Sequence, residues 1–463
     1  MIKRNITFII LAIALLLPAQ NLVLAQTDTS GAIYIVQQGD TLGDIAARLG
    51  VTVQELIEAN QLTDPNSISA GQQLVIPGLK GVNGILTSKT VQLGETLETI
   101  SYQYNMPVAM LTDLNRIVSA SEIYAGTQLV IVESDQSNPL QPVFSLESHQ
   151  TLLELAVLND TNTWEILSNN KADSLWQIIP GQTLFAPVSN NSKISTITPR
   201  LQGVEISPLP LVQGKTTVIT VKTTRPLQLT GQLADHKLTF SQAGENEYVA
   251  LQGIHAMAQP GLVTFAISST TENSEILEFS QQVLLSSGGY PNAPVLVVDP
   301  ITIDPKITVP EDDLVRQIVA PYTEPKWWNE SFAYLTDDPC INAWYGYRRS
   351  YNGSPFDYFH TGVDFGVCAQ NLNIYAPAPG KVVYTGNLTV RGNATIIDHG
   401  HGVYTGIWHQ EEIYVNPNDI VETGQKIGMI GNTGRSTGPH LHWELWVNGV
   451  QVNPLDWIET NFP

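Results

Sequence analysis

Basic residues are scarce in this chain of 463 residues, which has 22 Lys and Arg against 43 Asp and Glu. Its formal net charge is −21 at pH 7. A surface of this charge repels nucleic acid and other polyanions. We therefore expect no nucleic-acid partner, and any attachment to an anionic polymer must depend on specific contacts.

Long apolar runs are also lacking, apart from one near the N-terminus. Lys3 and Arg4 precede the apolar run 6–17, and the small-residue stretch 23–25 follows it. The run is too short to span a bilayer comfortably. This pattern predicts a secretory signal peptide over residues 1–25, no stable membrane anchor, and a protein that is secreted out of the cytoplasm.

Cysteine is nearly absent, since Cys340 and Cys368 are the only two. In an oxidising compartment a disulfide is the favoured interpretation, and closing a loop of about 28 residues would stabilise the fold by roughly 3 kcal/mol. The alternative is that Cys368, four residues beyond Asp364, is a metal ligand.

Metal-binding residue types are present in the C-terminal third, where His360 and Asp364 lie four apart and His440 and His442 lie two apart. Alternate residues of a strand point to the same face, so His440 and His442 share one face. Zinc prefers imidazole nitrogens with a carboxylate oxygen, and three protein ligands leave a position for water. The pattern predicts a catalytic zinc site at the edge of a β-sheet.

The surroundings of these residues are typical of strands. Residues 382–384, 394–397 and 443–447 are β-branched or aromatic, and Asn448-Gly449 is a strong hairpin signal. His409 adds one more imidazole, whereas His399 and His401 alternate with glycine in a pattern that favours a tight turn with no catalytic role.

The stretch 431–442 reads GNTGRSTGPHLH. Together with the His-x-x-x-Asp motif of 360–364 and the isolated His409, it resembles the lysostaphin and LytM type of zinc endopeptidase, which cuts peptidoglycan peptides. The resemblance covers roughly Trp344 to Pro463. It also includes the segments YGYR at 345–348, APAPGKV at 376–382 and VETGQKIG at 421–428.

The resemblance implies that His360, Asp364 and His442 are the zinc ligands, and that His409 and His440 are the catalytic histidines. The chain has no His-Glu-x-x-His motif, so the general base would be a histidine. Two positions depart from the family, Ile407 in place of an aromatic residue and Gln410 in place of leucine; both could alter the groove.

Glu444 lies two residues beyond His442 on the same face of the strand. Two interpretations stay open. Either Glu444 orients a metal ligand by a hydrogen bond on the side away from the metal, or it is a surface carboxylate.

Between the leader and about residue 188 the sequence repeats with a period of 55 residues. The recurring positions are Thr41-Leu42, Thr96-Leu97 and Thr151-Leu152, then Asn60, Asn115 and Asn170, then Gly71, Gly126 and Gly181. Each unit favours the order strand, helix, helix, strand, with Gly50 closing the first helix and a capping box at Thr52 and Glu55.

The repeats resemble the LysM module, a βααβ domain that binds glycans containing N-acetylglucosamine. We place three modules at 33–78, 89–133 and 143–188. The resemblance implies sugar contacts from Asp40, Thr41, Leu42 and Ile68 in the first unit and from Glu95, Thr96, Leu97 and Ile123 in the second. The third unit has lost the Gly-Asp or Gly-Glu pair and is interpreted as degenerate. The alternative is that the units are structural spacers.

Residues 194–288 contain short alternating strands, which predict an all-β, immunoglobulin-like sandwich that serves as a spacer. The proline-rich tract 289–325 then predicts an extended, semi-rigid linker before the peptidase domain at 326–463. Asp312 and Asp313 in this linker are either an inhibitory strap that reaches the zinc or solvated charges.

The expected protein is a multidomain peptidoglycan hydrolase that is associated with the cell wall or periplasm. LysM modules would target its zinc endopeptidase to wall glycan and stem peptides. One alternative is a catalytically silent LytM-like regulator that acts on a cell-wall amidase with the cell-division machinery. Another is a structural wall-binding protein. The cleaved bond, either a D-alanyl cross-link or an interpeptide bridge, stays open.

Overall fold

The computed structural model describes residues 32–64, 68–79, 81–119, 122–133, 140–146, 151–158, 161–170, 172–178, 183–187, 201–270 and 276–463. These residues form two compact units, one up to Leu86 and one from Thr87 to Pro463. The predicted signal peptide lies outside the described residues. No helix within the described ranges is long and apolar enough to cross a membrane.

The first repeat has the predicted βααβ order, with elements β1 (Ala32–Ile35), α1 (Leu42–Leu49), α2 (Val53–Asn60) and β2 (Gln73–Ile76). The Thr41 side chain caps α1, and Gly50 ends this helix in the left-handed conformation. Thr52 and Glu55 form the predicted capping box of α2.

Hydrogen bonds of the repeated asparagine explain why this residue recurs at the same position of every unit. Asn60 Nδ2 donates to the Val75 carbonyl at 2.8 Å, and the Val75 N–H donates to Asn60 Oδ1 at 2.7 Å. The side chain therefore ties the end of α2 to β2 and satisfies two backbone groups. The same pair of bonds joins Asn115 to Val130 and Asn170 to Phe185.

The second and third repeats follow the same order. Their elements are β3 (Gly84–Thr90), α3 (Leu97–Gln103), α4 (Val108–Asn115), β4 (Gln128–Glu133), β5 (Leu140–Ser145), α5 (Leu152–Leu158), α6 (Thr163–Asn169) and β6 (Thr183–Pro187). The third repeat keeps a buried core that includes Leu155, Ile166 and Leu184. Loss of the loop motif has thus left its fold intact.

Two sheets follow, built from β7 (Leu201–Ser207), β8 (Leu211–Val212), β9 (Thr216–Thr223), β10 (Leu229–Leu233), β11 (His236–Leu238), β12 (Ser241–Gly244), β13 (Glu247–Gly253), β14 (Gly261–Thr270) and β15 (Ile276–Ser286). Their strand orders are β11-β10-β14-β15-β8 and β12-β13-β9-β7. Ile219 and Val221 from one sheet and Phe265 and Val283 from the other share a core. The all-β expectation is confirmed, and its immunoglobulin-like character stays a prediction.

The second repeat packs against these sheets through the loops that precede its first helix and its last strand. The Leu284 N–H donates to the Ala125 carbonyl at 2.8 Å, and the Gly94 N–H donates to Gln281 Oε1 at 2.8 Å. Leu93 is buried in the core of the sandwich. The second repeat is therefore docked on the sandwich by the loops that carry Glu95 and Ile123.

The prediction of an extended linker was wrong. Residues Pro300–Ile303 form a 3₁₀ turn, and Pro305–Val319 form helix α7. Asp299 and Asp304 cap these elements, and each cap is followed directly by a proline. Proline lacks the N–H that a first helical residue would leave unpaired, so it favours helix starts as readily as extended linkers.

The C-terminal domain contains β16 (Ile341–Ala343), β17 (Arg348–Arg349), β18 (Tyr358–Phe359), β19 (Val363–Phe365), β20 (Asn373–Tyr375), β21 (Gly380–Leu388), β22 (Gly392–Asp398), β23 (Val403–Ile413), β24 (Ile420–Val421), β25 (Lys426–Ile430), β26 (Leu441–Val447), β27 (Val450–Val452) and α8 (Leu455–Glu459). The main sheet has the order β16-β19-β26-β23-β22-β21-β24. Asn448 and Gly449 make the predicted turn between β26 and β27, both with positive φ.

Cys340 and Cys368 form a disulfide, with their Cα atoms 6.1 Å apart. The alternative in which Cys368 binds a metal was therefore wrong. The Gly366 N–H donates to the Cys340 carbonyl at 2.8 Å, so the bridge lies beside the pairing of β16 with β19. It holds the segment after Asp364 against the neighbouring strand.

The sandwich and the C-terminal domain share a core. Val249 and Leu251 of β13 belong to the buried cluster of the C-terminal domain. Lys215 Nζ lies 2.6 Å from Asp456 Oδ1, and Trp457 Nε1 donates to Thr216 Oγ1 at 2.9 Å. The sandwich is thus a packed support for this domain.

Candidate metal centre

Three donor atoms converge on the central part of the main sheet. His442 Nδ1 lies 2.7 Å from Asp364 Oδ1 and 3.1 Å from His360 Nε2, and His360 Nε2 lies 3.0 Å from Asp364 Oδ1. The His442 side chain comes from β26, that of Asp364 from β19, and that of His360 from the residue directly after β18. Residues far apart in the chain therefore form the set that the sequence predicted.

Strand pairing places these side chains together. In the register of β19 with β26, Asp364 lies opposite His442, and in that of β23 with β26, Trp408 lies opposite His442. The expectation of a site at the sheet edge was wrong, because β26 has a partner on each side. Strand order across a sheet depends on long-range pairing, which the spacing of motifs does not reveal.

Each imidazole is oriented by a partner behind it. His360 Nδ1 donates to the Trp344 carbonyl at 2.8 Å, which leaves Nε2 to face the site. His442 Nε2 lies 3.4 Å from Glu444 Oε1, which leaves Nδ1 to face the site. The tautomers that a metal needs are therefore set by hydrogen bonds on the far side of each ring.

This donor set fits zinc. Two imidazole nitrogens and one carboxylate oxygen are the ligands of many catalytic zinc sites, and they leave one position open. The observed separations of 2.7–3.1 Å approach the edge of a tetrahedron with ligands at about 2.1 Å, roughly 3.4 Å. Calcium or magnesium would instead require mostly oxygen ligands.

Glu444 is buried, with 2% of the residue exposed, so the surface interpretation was wrong. It accepts hydrogen bonds from Thr361 Oγ1 at 2.6 Å, Gln451 Nε2 at 3.0 Å and Trp446 Nε1 at 3.1 Å. Burial raises the pKa of Glu444, but the hydrogen bond with His442 and the charge of Arg391 outweigh it and lower the pKa to about 2. Glu444 is thus a carboxylate held against the back of His442.

Asp364 and His442 are strongly coupled through their hydrogen bond. Burial raises the pKa of Asp364, but the His360 and His442 imidazoles outweigh it and hold this pKa well below its usual range. Burial lowers the pKa of His442, but hydrogen bonds to Asp364 and Glu444 outweigh it and raise the pKa to about 9. A metal ion that binds here would displace a proton.

His409 and His440 face each other across the same cleft, with ring centroids 4.8 Å apart. His409 Nδ1 donates to the Thr433 carbonyl at 2.7 Å, and His440 Nδ1 donates to the Gly438 carbonyl at 2.8 Å. Each ring therefore keeps Nε2 as an acceptor. Burial, with the neighbouring His442 and His440, lowers the pKa of His409 to about 3, so this imidazole is neutral at pH 7.

The other two histidines of the region lie away from the cleft. His399 is fully buried and bonds to the Pro379 carbonyl at 2.7 Å and to Thr405 Oγ1 at 2.9 Å. His401 lies in the turn between β22 and β23 and pairs with Glu324 at 2.8 Å. The predicted turn is present, but His399 is a core residue.

A cleft of about 740 Å³ contains the donor set and both anchored imidazoles. Its wall includes Thr308 and Asp312 of α7, Tyr351 and Arg435. Asp312 Oδ1 accepts from Arg391 Nη2 at 2.9 Å, and Asp313 lies 3.9 Å from the exposed Arg316. Neither carboxylate reaches the donor set, so the inhibitory strap is not what the structure contains.

The role of Glu311 in α7 was not predicted from the sequence, because no pattern in the proline-rich tract indicates that this carboxylate is buried. Its oxygens accept from the Val390 N–H at 2.9 Å and from the Arg391 N–H at 3.1 Å. The Arg391 carbonyl accepts from the His409 N–H at 2.9 Å, and His409 has a φ of 62°. Glu311 thus holds the turn that supports an unusual backbone conformation at His409.

The sugar-contact candidates are placed unevenly. Leu42 and Leu97 are buried core residues, whereas Thr41 and Thr96 cap helices at the surface. The Asp40 carboxylate accepts from Tyr34 Oη and the Gln37 N–H, and Glu95 does so from the Gln92 N–H and Lys89. These acids shape their own loops. Ile68 and Ile123 are both half-buried.

Comparison with known families and proteins agrees with this division. Residues 358–454 match peptidase family M23, and residues 34–77 and 90–132 match the LysM domain. The chain is 43% identical over 96 residues to peptidoglycan DD-endopeptidase ShyA of Vibrio cholerae, which is 21% of this chain and 22% of that protein. It is 38% identical over 112 residues to the DD-carboxypeptidase/endopeptidase Mpg of Neisseria meningitidis, 22% of this chain and 26% of that protein.

The chain therefore spans only about a quarter of the length of these relatives. Among solved structures, a peptidase M23 from Pseudomonas aeruginosa aligns with a TM-score of 0.40 at 22% identity over 55% of this chain and 97% of that one. A zinc-containing peptidase from Vibrio cholerae aligns with a TM-score of 0.27 at 15% identity over 93% and 99%.

Burial lowers the pKa of His399 to about 4, from an ordinary value of 6.5. The folded state disfavours the charged imidazole, so between pH 6.5 and pH 4 only the unfolded state takes up a proton at His399. The free energy of unfolding is therefore highest above pH 6.5 and falls as the pH is lowered to 4. We expect a loss of about 3 kcal/mol across this window. Denaturant unfolding at pH 7 and pH 4 should show that the free energy of unfolding falls less in His399→Gln than in the wild type. His236→Gln, on the sandwich, is the control, and equal losses in all three proteins would contradict the assignment.

Replacing Glu311 by glutamine leaves one of the Val390 and Arg391 N–H groups without an acceptor. We expect kcat to fall roughly tenfold as His409 shifts, while zinc content stays complete. Asp313→Asn, on the exposed side of the same helix, should keep full activity. Normal kcat in Glu311→Gln, measured with bound metal quantified, would show that α7 does not position His409.

Proposed function

We propose that this chain, which carries LysM domains and a C-terminal M23 domain, is a secreted zinc-dependent endopeptidase that cuts peptide cross-links in peptidoglycan. The observation behind the proposal is the convergence of three metal-binding atoms and two anchored imidazoles in one cleft. A regulator without catalysis would not require the two imidazoles to keep free acceptors beside the metal-binding set.

His360, Asp364 and His442 would hold the zinc, with Trp344 and Glu444 orienting the two imidazoles from behind. When bound, the ion would supply Lewis acidity and lower the pKa of water toward neutrality. Glu444 would keep His442 from rotating and strengthen its donor atom.

His409 and His440 would move protons with Nε2, since Nδ1 of each is committed to a carbonyl. Burial keeps His409 neutral, so it is ready to accept a hydrogen bond from water or substrate. His440 lies nearer the opening of the cleft and also contacts Ser436 Oγ at 3.1 Å. Two imidazoles on one side of the substrate can take a proton from the nucleophile and return one to the leaving amine.

The proposed bond is a D,D-type cross-link rather than an interpeptide bridge. Relatives that share the catalytic segment are named as peptidoglycan DD-endopeptidase and DD-carboxypeptidase/endopeptidase. Ile407 and Gln410, which depart from the lysostaphin pattern, lie on β23 beside the catalytic His409 and are both fully buried. They would act on the groove only through packing.

Glycan binding is proposed for the first repeat, through Thr41 and Ile68 and the backbone around Asp40 and Leu42. In the second repeat the corresponding loops, with Glu95, Thr96, Leu97 and Ile123, lie in the segments that pack on the sandwich. The second repeat would then connect domains rather than bind sugar. The third repeat, which lies outside both LysM matches, would be a spacer.

The organisation that we propose is a signal peptide at 1–25, modules at 33–78, 89–133 and 143–188, a sandwich of immunoglobulin-like type at 194–288, and a catalytic domain at 326–463. The segment 289–325 would belong functionally to the catalytic domain, because α7 contributes to the cleft wall. A contribution to wall growth beside the cell-division machinery is consistent with this location outside the cytoplasm.

The function is tested on purified sacculi with metal content measured in parallel. Wild type with about one zinc should release peptides of cleaved cross-links, which mass spectrometry identifies. His442→Ala should lose the metal and the activity. His409→Ala and His440→Ala should keep the metal and lose at least 10²-fold in rate.

Zinc-loaded wild type that releases no peptide, but stimulates a cell-wall amidase, would support the regulator instead. Full zinc occupancy in His442→Ala would refute the ligand assignment.

Targeting is tested by removing residues 26–80. Hydrolysis of sacculi should fall more than hydrolysis of a short soluble peptide, since only the polymer benefits from tethering. Binding of the full chain to glycan strands should persist in high salt, because the chain is acidic and the contacts are not ionic. Ile68→Ala should weaken this binding, whereas its counterpart Ile123→Ala should not. Equal effects of the two substitutions would count against a special role of the first repeat.

A further inference from the structure

Four arginines line the catalytic cleft of a chain that has only 22 basic residues in total. They are Arg316, Arg349, Arg391 and Arg435. An acidic protein would repel an anionic peptide, so positive charge inside the cleft has a direct bearing on substrate binding.

Three of these arginines have a carboxylate of the protein within 4 Å. Arg391 contacts Glu311 at 3.0 Å and Asp312 at 2.9 Å. The other two pairs are Arg349 with Asp364 at 3.8 Å and Arg316 with Asp313 at 3.9 Å. In the part of the chain that the structure describes, no carboxylate forms an ion pair with Arg435, although Asp357 also lines the cleft.

Arg435 is held in place by neutral groups. Its Nη1 donates to the Thr302 carbonyl at 3.0 Å, and its guanidinium carbon lies 4.5 Å from the centroid of the Tyr351 ring. Its backbone N–H donates to the Val390 carbonyl at 2.8 Å. A second hydrogen bond runs from Nη2 to Tyr351 Oη at 3.5 Å. The guanidinium has five N–H donors, so three stay available after these two bonds. A charge that is fixed but not neutralised is suited to a ligand.

Arg435 also belongs to the loop that carries the proposed catalytic group His440. Ser436, the following residue, places its Oγ 3.1 Å from His440 Nδ1 and accepts the N–H of Gly438. A ligand held by Arg435 would therefore be bound by the same loop that carries His440.

We propose that Arg435 is a binding site for a free carboxylate of the wall peptide, close to the bond that is cut. This rests on the proposed function and deepens it by naming the substrate class, namely stem peptides in which that carboxylate is free rather than converted to a carboxamide. Guanidinium and carboxylate fit each other through two parallel hydrogen bonds, which a carboxamide cannot reproduce because one of its two heteroatoms is a donor.

The test uses two soluble cross-linked peptides that differ only in a carboxylate or a carboxamide on the residue beside the cleaved bond. Wild type should cleave the carboxylate peptide with kcat/KM roughly tenfold higher or more. Arg435→Gln should lose this preference, because its kcat/KM on the carboxylate peptide should fall to the value that it has on the carboxamide peptide. Arg435→Lys should recover part of the preference, since it keeps the charge but not the paired donors.

Arg225→Gln is the control, because it removes the same charge from the sandwich, away from the cleft. It should keep the wild-type preference. Activity on the carboxamide peptide and measured zinc content show that each variant is folded and loaded.

Equal cleavage of the two peptides by wild type would overturn the carboxylate site, as would an Arg435→Gln variant that keeps the preference. A loss of the same factor on both peptides in Arg435→Gln would also overturn it, because Arg435 would then support the loop alone. Wild type that contains zinc and cleaves neither peptide nor sacculi would refute the proposed function itself, which is a different result.

Discussion

The pairing of β19 with β26 is the constraint on which the rest of the catalytic domain depends. In this register Asp364 lies opposite His442, while the neighbouring Phe365 and Trp443 point to the other face and stack in the core at 6.4 Å between centroids. Because side chains alternate along a strand, the same two strands carry the metal-binding set on one face and the packed aromatic rings on the other. A shift by one residue would bury the donors and expose the aromatic rings.

The catalytic domain is supported from outside its own sheet. The sandwich contributes Val249 and Leu251 to its core, and α7 contributes Glu311 to the turn between β21 and β22, whose Arg391 carbonyl accepts the His409 N–H. Both elements precede the segment 358–454 that matches the peptidase family. The packed unit is therefore larger than the segment that matches the family, and elements outside this segment help to hold the groups of the site in position.

The three repeats share one architecture. The same asparagine ties the second helix to the last strand in all three units, so all three keep their fold. In the second unit the loops that precede the first helix and the last strand are packed on the sandwich. A module that keeps its core can change from binding a ligand to joining domains, because core and surface loops are determined by different residues.

Local features and the types of chemical group in the site follow from the amino-acid sequence. Helix caps at Thr41 and Thr52, the turn at Asn448-Gly449 and the repeat of Asn60 depend on neighbouring residues, and the donor set depends on residue types that few other sites combine. Only the tertiary structure decided where the groups lie. It placed the metal-binding set inside the sheet, buried Glu444 and folded the proline-rich tract into α7. Among the described residues it also left Arg435 without a carboxylate in an ion pair. These outcomes depend on contacts between residues far apart in the chain, and no local pattern records such contacts.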